Sequence, residues 1–299
     1  MPVADKAKTI GLFAWMERVP EEARRVREDW EAEAVHDLRV ALRRCRTMAD
    51  VLREVYPDPA WRKIRKGTGD LFHLLGELRD TQVKRGWVRK LSAAADPLRR
   101  HMLRLLAAEE KAHRAAAAEA LDNFDRKGWK KLARKVDSKA GFFPLESVVF
   151  QRQALMRLNA AVELHQKARK RSSSAAWHRL RIGIKQFRYI VENFLPQRYE
   201  VWAEDLKKMQ DLLGELHDLD VLRTQVRQQS ASFDGALVKK WIERIDEQRK
   251  ARLDEFRAVT ANGKSPWIVW RAGFRWGHAM NVASLPEPVP IRPAVRYAS

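Results

Sequence analysis

One helical pattern occurs twice in this chain, and it decides the class of fold. Apolar residues recur at the spacing i, i+3, i+7, i+10, i+14 and i+17 in both halves of the sequence. The two apolar rows comprise Val35, Leu38, Leu42, Cys45, Ala49 and Leu52, and Trp177, Leu180, Ile184, Phe187, Val191 and Phe194. This period is that of an α-helix with one buried face. Helical periodicity also continues through most of the remaining sequence, which predicts an all-α fold.

A row of cations lies beside each apolar row, displaced by one residue. The basic rows comprise His36, Arg39, Arg43 and Arg46, and His178, Arg181, Lys185 and Arg188. One residue turns a helix by about 100°, so these side chains should border the core over roughly 15 Å of helix axis. Four like charges in a row repel one another and weaken a helix by themselves. We therefore expect the two basic rows to face an anionic ligand.

The duplication extends beyond these rows. The segment Leu-Gly-Glu-Leu-Arg-Asp at 75–80 returns as Leu-Gly-Glu-Leu-His-Asp at 213–218, a shift of 138, whereas the basic rows repeat at a shift of 142. This repetition predicts a duplicated unit of about 140 residues with about four long helices. Two four-helix bundles around a pseudo-twofold axis would let both basic rows face one shared groove. The predicted limits are 1–140 for the first bundle, 141–284 for the second, and 285–299 for a proline-rich extended tail.

Capping residues and glycines add local expectations. Asp58 and Asp96 each precede a proline, which combines an N-cap with proline at the first helical position. The serines at 172–174 should end one helix and cap the next. Gly76 and Gly214 lie inside predicted helices, where glycine costs about 1 kcal/mol relative to alanine. That cost predicts a close helix contact at both glycines.

The charge balance indicates a polyanionic partner. Lys and Arg number 59 against 39 Asp and Glu, a formal net charge of +20, which suits nucleic acid, an anionic membrane surface or another phosphate polymer. No apolar run reaches the length of a transmembrane helix. The single cysteine, Cys45, excludes an internal disulfide framework and fits a reducing compartment. The sequence contains no Walker A loop, dinucleotide-binding glycine motif or zinc-binding motif, so we expect no catalytic residue, metal or cofactor.

Further charged residues are candidates for supporting roles. As secondary phosphate contacts we include Arg44, Arg114, Lys207, Lys208 and Arg252. The carboxylates of the repeated Gly-Glu-Leu-x-Asp element are Glu77, Asp80, Glu215 and Asp218. We expect these carboxylates to pair with the arginines and hold them extended. Together with Asp220 they could instead bind a divalent cation.

The two histidines predict a pH dependence. Neighbouring arginines should lower the pKa of His36 and His178 in the empty site, and a bound polyanion should raise it again. We therefore expect binding to tighten as the pH falls from about 8 to 6, near the unperturbed histidine pKa.

The chain resembles the conserved histidine α-helical domain, known as CHAD, in two copies of a paired motif. The motifs read V-H-D-L-R-V-A-L-R-R-C-R with L-G-E-L-R-D, and W-H-R-L-R-I-G-I-K-Q-F-R with L-G-E-L-H-D-L-D-V. The resemblance covers about residues 10–280. It implies two four-helix bundles related by pseudo-symmetry, a basic central pore or groove, and binding of inorganic polyphosphate on bacterial polyphosphate granules. By this resemblance the eight residues of the basic rows would be the polyphosphate ligands.

The sequence thus favours a non-catalytic, cytoplasmic module that binds inorganic polyphosphate, associates with polyphosphate granules and has no membrane contact. Two alternatives remain open. One is a nucleic-acid-binding protein, although duplex DNA needs an exposed surface or a helix that enters its groove. The other is a Mg²⁺-dependent polyphosphate-processing enzyme in which the repeated carboxylates hold the metal.

Overall fold

The computed structural model describes residues 11–140, 144–261, 263 and 265–274, and all regular secondary structure in these residues is helical. The helices are α1 (Leu12–Glu28), α2 (Ala32–Val55), α3 (Pro59–Gly67), α4 (Gly69–Leu91), α5 (Pro97–Asp122), α6 (Arg126–Ala140), α7 (Val148–Arg171), α8 (Ser174–Phe194), α9 (Pro196–Gln228), α10 (Gly235–Thr260) and α11 (Pro266–Ala272). The predicted all-α fold is confirmed. Within the described residues, none of the helices combines the length and the apolar composition needed to cross a bilayer.

The predicted capping residues begin their helices. The Asp58 side chain accepts a hydrogen bond from the Ala60 amide at 2.7 Å, and a proline is the first residue of α3. The Asp96 side chain caps α5 in the same way, through the Arg99 amide at 3.1 Å. Ser173 caps α8. Each of these side chains satisfies an amide that has no partner within the first helical turn, so these predicted boundaries are confirmed.

The two predicted apolar rows form the centre of the structure. All twelve side chains are buried, and none exposes more than 3% of its surface. Helices α2 and α8, which carry these rows, pack against each other, and they also pack against α1 and α7, respectively. Burial raises the pKa of the Cys45 thiol, which lies in the first row. The basic rows therefore border the core, as their one-residue displacement predicts.

Both halves of the chain contribute to both clusters of buried apolar residues. The larger cluster includes α1, α2, α3 and α6 from the first half and α7, α8 and α11 from the second. The smaller cluster joins the α4–α5 hairpin to the α9–α10 hairpin through residues such as Trp87, Leu106, Leu222 and Trp241. The Trp241 indole donates to Asp96 Oδ2 at 3.0 Å across this contact. The interior is thus shared between the two halves.

The helices pack in the same order in the two halves. Helices α1, α2, α4 and α5 contact one another in sequence, as do α7, α8, α9 and α10, while α6 packs on α1 and α11 on α7. The predicted boundary near residue 140 falls between α6 and α7, next to residues 141–143, which lie outside the described residues. The predicted tail at 285–299 also lies outside them, and the domain limits stay a prediction.

Candidate functional site

The two basic rows converge where α2 packs against α8. The Arg43 guanidinium carbon on α2 lies 5.3 Å from the centre of the Tyr189 ring on α8. The pKa of Lys185 is lowered to about 7, first by burial and then by three arginines. These arginines are Arg181, Arg43 and Arg39. Because two of them belong to the first row, both rows contribute charge to one site.

Two arginines of the first row share an aromatic support on α4. The guanidinium carbons of Arg39 and Arg46 lie 5.1 and 5.0 Å from the centre of the Phe72 ring, a distance at which a cation is attracted to a ring face. Arg39 Nη1 also donates to the Phe72 carbonyl oxygen at 3.3 Å. Arg46 Nη1 donates to the carbonyl oxygen of Arg65 at 2.8 Å. These contacts set the direction of both side chains.

Gly76 provides the space that the Arg39 guanidinium occupies. A Cβ atom added to Gly76 would lie 2.5 Å from Arg39 Nη1, closer than side-chain carbons come to non-bonded atoms. At the equivalent Gly214 of the second half, an added Cβ atom would meet no described atom within 4 Å. The predicted close helix contact is therefore wrong at Gly214. At Gly76 the contact is a seat for one arginine of the basic row.

The second basic row is neutralised at its end. Arg188 Nη1 donates to Gln210 Oε1 at 2.6 Å, and Arg188 Nη2 lies 3.5 Å from Glu192 Oε1. The same carboxylate pairs with Arg44, whose Nη1 also donates to Asn193 Oδ1 at 2.8 Å. The Glu192 side chain is only 5% exposed. Arg44, predicted as a secondary phosphate contact, therefore joins α2 to α8 through a buried ion pair.

Two carboxylates of the Gly-Glu-Leu-x-Asp elements lie near the basic rows and near each other. Burial raises the pKa of Asp218 to about 6, Arg181 opposes this shift, and the charge of Asp80 adds to it. Burial lowers the pKa of Arg39, and Asp80 partly offsets that lowering. Asp80 and Asp218 thus act on the charges of the two rows from opposite halves of the chain.

The other predicted charged residues have contacts outside the basic rows. Glu77 Oε1 lies 3.4 Å from His73 Nε2, and Glu215 pairs with Arg252. Lys207 lies 2.8 Å from Asp211, and Lys208 lies 3.6 Å from Glu255. The Arg114 guanidinium carbon lies 5.4 Å from the centre of the Trp30 ring. Asp220 pairs with Arg249 at 2.5 Å. Among the described residues, no group of three or more His, Cys, Asp or Glu side chains is arranged to hold a metal ion.

His36 and His178 lead the two rows and are exposed. The pKa of each is lowered, first by partial burial and then by neighbouring arginines. His178 Nδ1 lies 3.2 Å from Nδ1 of His217, and the pKa of His217 is lowered to about 4, first by burial and then by Arg181. The predicted shift of the two leading histidines toward the neutral form is confirmed, although burial contributes more to it than the arginines do.

A family model described as CHAD domain matches residues 14–227, well over half of the chain. The chain belongs to the CHAD family. The matched residues include both basic rows and both Gly-Glu-Leu-x-Asp elements, which are the CHAD motifs that the sequence resembles. No curated protein matches the sequence.

Solved structures share the fold of this CHAD chain. The crystal structure of the CHAD domain from the plant Ricinus communis has a TM-score of 0.55 and 23% sequence identity, and the match covers 90% of each chain. PptA from Streptomyces chartreusis has a TM-score of 0.60 and 17% identity, and the match covers 83% of this chain and 94% of the other. At these identities the similarity establishes the fold.

Four residues of the candidate site did not emerge from the sequence patterns. Phe72 and Tyr189 support arginines of the first row. Arg79 and His217 occupy the variable position of the two Gly-Glu-Leu-x-Asp elements, and each lies near the histidine of its own row. Both repeats have a basic residue at the variable position, and this signal could have identified Arg79 and His217 from the sequence. The two aromatic residues carry no such signal, because each supports an arginine of another helix.

Proposed function

We propose that this CHAD protein binds inorganic polyphosphate, a long linear polyanion, between its two basic rows. The observation that carries the proposal is the position of Lys185, whose pKa is lowered to about 7 beside Arg39, Arg43 and Arg181. Such a cluster is unfavourable in the empty protein, because each cation disfavours the charged form of its neighbours. A bound phosphate chain would relieve this repulsion. Arginine suits the role because its planar guanidinium group can donate two parallel hydrogen bonds to phosphate oxygens.

The eight residues of the basic rows are the proposed ligands. Their arginines and Lys185 are partly buried where α2 meets α8. A narrow linear anion can reach side chains in such a groove, whereas duplex DNA needs an exposed surface or a helix that enters its own groove. In the proposed arrangement, two four-helix bundles are related by a pseudo-twofold axis between α2 and α8. The equal packing order of the helices in the two halves supports this arrangement.

The protein is proposed to act as a non-catalytic binding module. Asp80 and Asp218 are the repeated carboxylates that lie near the rows, and each acts on the charge of an arginine, Arg39 and Arg181, respectively. This environment favours a role in orienting the cations over a role in holding Mg²⁺. The proposed location is the cytoplasm, on polyphosphate granules, because the CHAD resemblance associates such binding with granules.

A double charge reversal tests the site. Arg39→Glu with Arg181→Glu should abolish binding of long-chain polyphosphate in a calorimetric titration and leave the helical circular dichroism spectrum unchanged. The matched control, Arg104→Glu with Arg227→Glu, changes two exposed arginines outside the rows and should retain binding. Arg39→Gln with Arg181→Gln provides the milder variant if the reversal disturbs folding. If these variants bind polyphosphate normally, the rows are not the site.

Competition distinguishes polyphosphate from nucleic acid. RNA or DNA at the same phosphate concentration should fail to displace long-chain polyphosphate, and displacement would contradict the proposed ligand. Incubation of the purified protein with polyphosphate and Mg²⁺ should release neither phosphate nor shorter chains. Release that is lost in Asp218→Asn would contradict the non-catalytic assignment.

A further inference from the structure

Helix α6 carries a second concentration of positive charge, outside the basic rows. Six lysines and arginines and no acidic residue occur between residues 126 and 135. Five of these cations are exposed and form no ion pair with any side chain that the structure describes: Arg126, Lys127, Lys130, Lys131 and Arg134. On the neighbouring helix α1, by contrast, all four arginines pair with carboxylates. These five charges on α6 are therefore not compensated by any side chain that the structure describes, unlike the arginines of α1.

Buried residues on the inner side of α6 fix the orientation in which its cations face solvent. Trp129, Ala133 and Val136 are buried beneath it, at the spacing of one helix face. The Trp129 indole donates to the Met16 carbonyl oxygen at 2.8 Å, which fixes α6 to α1. Because the apolar side of the helix is used inside the protein, the exposed residues within 126–136 include cations and no aromatic or aliphatic side chain.

Helix α3 connects this face to the first basic row. It packs against α2, α4 and α6. Arg62, Lys63 and Lys66 lie on its outer side, exposed and without an ion pair to a described side chain. Near the end of α3, the Arg65 carbonyl oxygen accepts the hydrogen bond of Arg46, the last arginine of the first row. Cations thus extend from the row across α3 to α6, and we name this the α3–α6 surface.

We propose that the α3–α6 surface binds the part of a long polyphosphate chain that extends beyond the basic rows, so that affinity increases with chain length. The inference rests on the proposed function of the rows. The five unpaired cations of α6, from Arg126 to Arg134, span roughly 12 Å of helix axis, a linear array that suits a flexible polyanion. Single-stranded nucleic acid would gain from exposed aromatic rings, and a membrane would need exposed apolar side chains. Trp129 is only 4% exposed, and no large hydrophobic side chain is exposed within residues 59–67 and 126–136, so this part of the surface offers neither.

A pair of neutralised lysines tests the surface. The test variant combines Lys130→Gln and Lys131→Gln on α6. The control variant combines Lys239→Gln and Lys240→Gln, which also removes two positive charges, from exposed positions on α10. Both variants are titrated with tripolyphosphate and with long-chain polyphosphate at several salt concentrations. The α6 variant should bind the long chain about three- to tenfold more weakly, the equivalent of two exposed ion pairs. The slope of log affinity against log salt should fall by about 0.7 per lost contact. Tripolyphosphate binding should be unchanged, and the α10 variant should match the unmodified protein.

The outcomes separate this inference from the proposed function. Equal long-chain affinity of the α6 and α10 variants overturns the inference, while the proposed function stands if the double charge reversal in the rows still abolishes binding. Weaker tripolyphosphate binding by the α6 variant also overturns it, since α6 would then belong to the primary site. Loss of affinity for an RNA oligonucleotide alone would assign the surface to nucleic acid. If the double reversal affects neither polyphosphate, the proposed function and this inference both fail.

Discussion

Replacing Gly76 with alanine should weaken polyphosphate binding without unfolding the protein. The new Cβ atom would lie 2.5 Å from Arg39 Nη1, so the guanidinium group, which is the free end of a flexible side chain, must move. It would then lose its 3.3 Å hydrogen bond to the Phe72 carbonyl oxygen and its place over the Phe72 ring. The substitution therefore displaces one proposed ligand of the first basic row while the charge of the protein stays the same.

The expected magnitudes differ between stability and binding. Alanine in place of glycine inside a helix stabilises it by about 1 kcal/mol, and the lost hydrogen bond costs about 1 kcal/mol. The two effects nearly cancel, so the free energy of unfolding of Gly76→Ala should change by less than about 1 kcal/mol. A hydrogen bond to a charged group contributes about 1.5–3 kcal/mol, which corresponds to a loss of about ten- to a hundredfold in affinity.

Gly214→Ala is the matched control, because it makes the same change at the equivalent position of the second half. An added Cβ atom there meets no described atom within 4 Å, so this variant should gain about 1 kcal/mol in stability and keep its affinity. Affinity is measured by calorimetric titration with long-chain polyphosphate, and stability by urea denaturation. Gly76→Ala should also cause no further loss when Arg39→Gln is already present, since the two changes act through one side chain. The reasoning is refuted if both glycine variants bind equally well, or if both weaken binding to the same extent.

Two further predictions concern charge. Affinity for polyphosphate should fall by up to about tenfold per pH unit between pH 7 and 9, because Lys185, with a pKa of about 7 in the free protein, must gain a proton on binding. In Lys185→Arg, which stays charged, affinity should stay nearly constant between about pH 8 and 9, above the range in which the histidines titrate. A flat profile for the unmodified protein would show that Lys185 does not contact the ligand. Glu192→Gln should lower the free energy of unfolding by about 3–5 kcal/mol, since Arg44 and Arg188 lose their shared carboxylate. Asp211→Asn, in an exposed ion pair, should change it by less than about 1 kcal/mol, and equal effects in urea denaturation would contradict the buried role of Glu192.

The sequence was most informative where structure depends on near neighbours along the chain. Helix periodicity identified twelve core side chains, all of which are buried, because residues three and four apart share a face of any α-helix. The caps at Asp58 and Asp96 were likewise readable, since each bonds to an amide within its own first turn. The displacement of the basic rows from the core followed from the same geometry.

Contacts between distant residues were not readable in this way. Arg44 and Arg43 are adjacent in the sequence, yet Arg44 is neutralised by Glu192 and Arg43 lies over Tyr189. Nothing in the pattern around the two arginines distinguishes them, because their partners lie on α8. The depressed pKa of Lys185 has the same origin, since two of the three arginines that lower it belong to the other half of the chain.

The sequence by itself determined an all-α chain with a duplicated helical pattern, two basic rows beside the core and a large excess of positive charge. Only the tertiary structure decided that the two rows meet and that Arg44 and Arg252 are neutralised. It also decided that Gly76 seats an arginine, whereas a Cβ atom added to Gly214 would meet no described atom within 4 Å. The physical reason is the separation along the chain between the residues that interact. Helix periodicity and capping depend on a few residues along the chain, whereas ion pairs, pKa values and steric space depend on atoms that only the packing of α2, α4, α8 and α9 brings together.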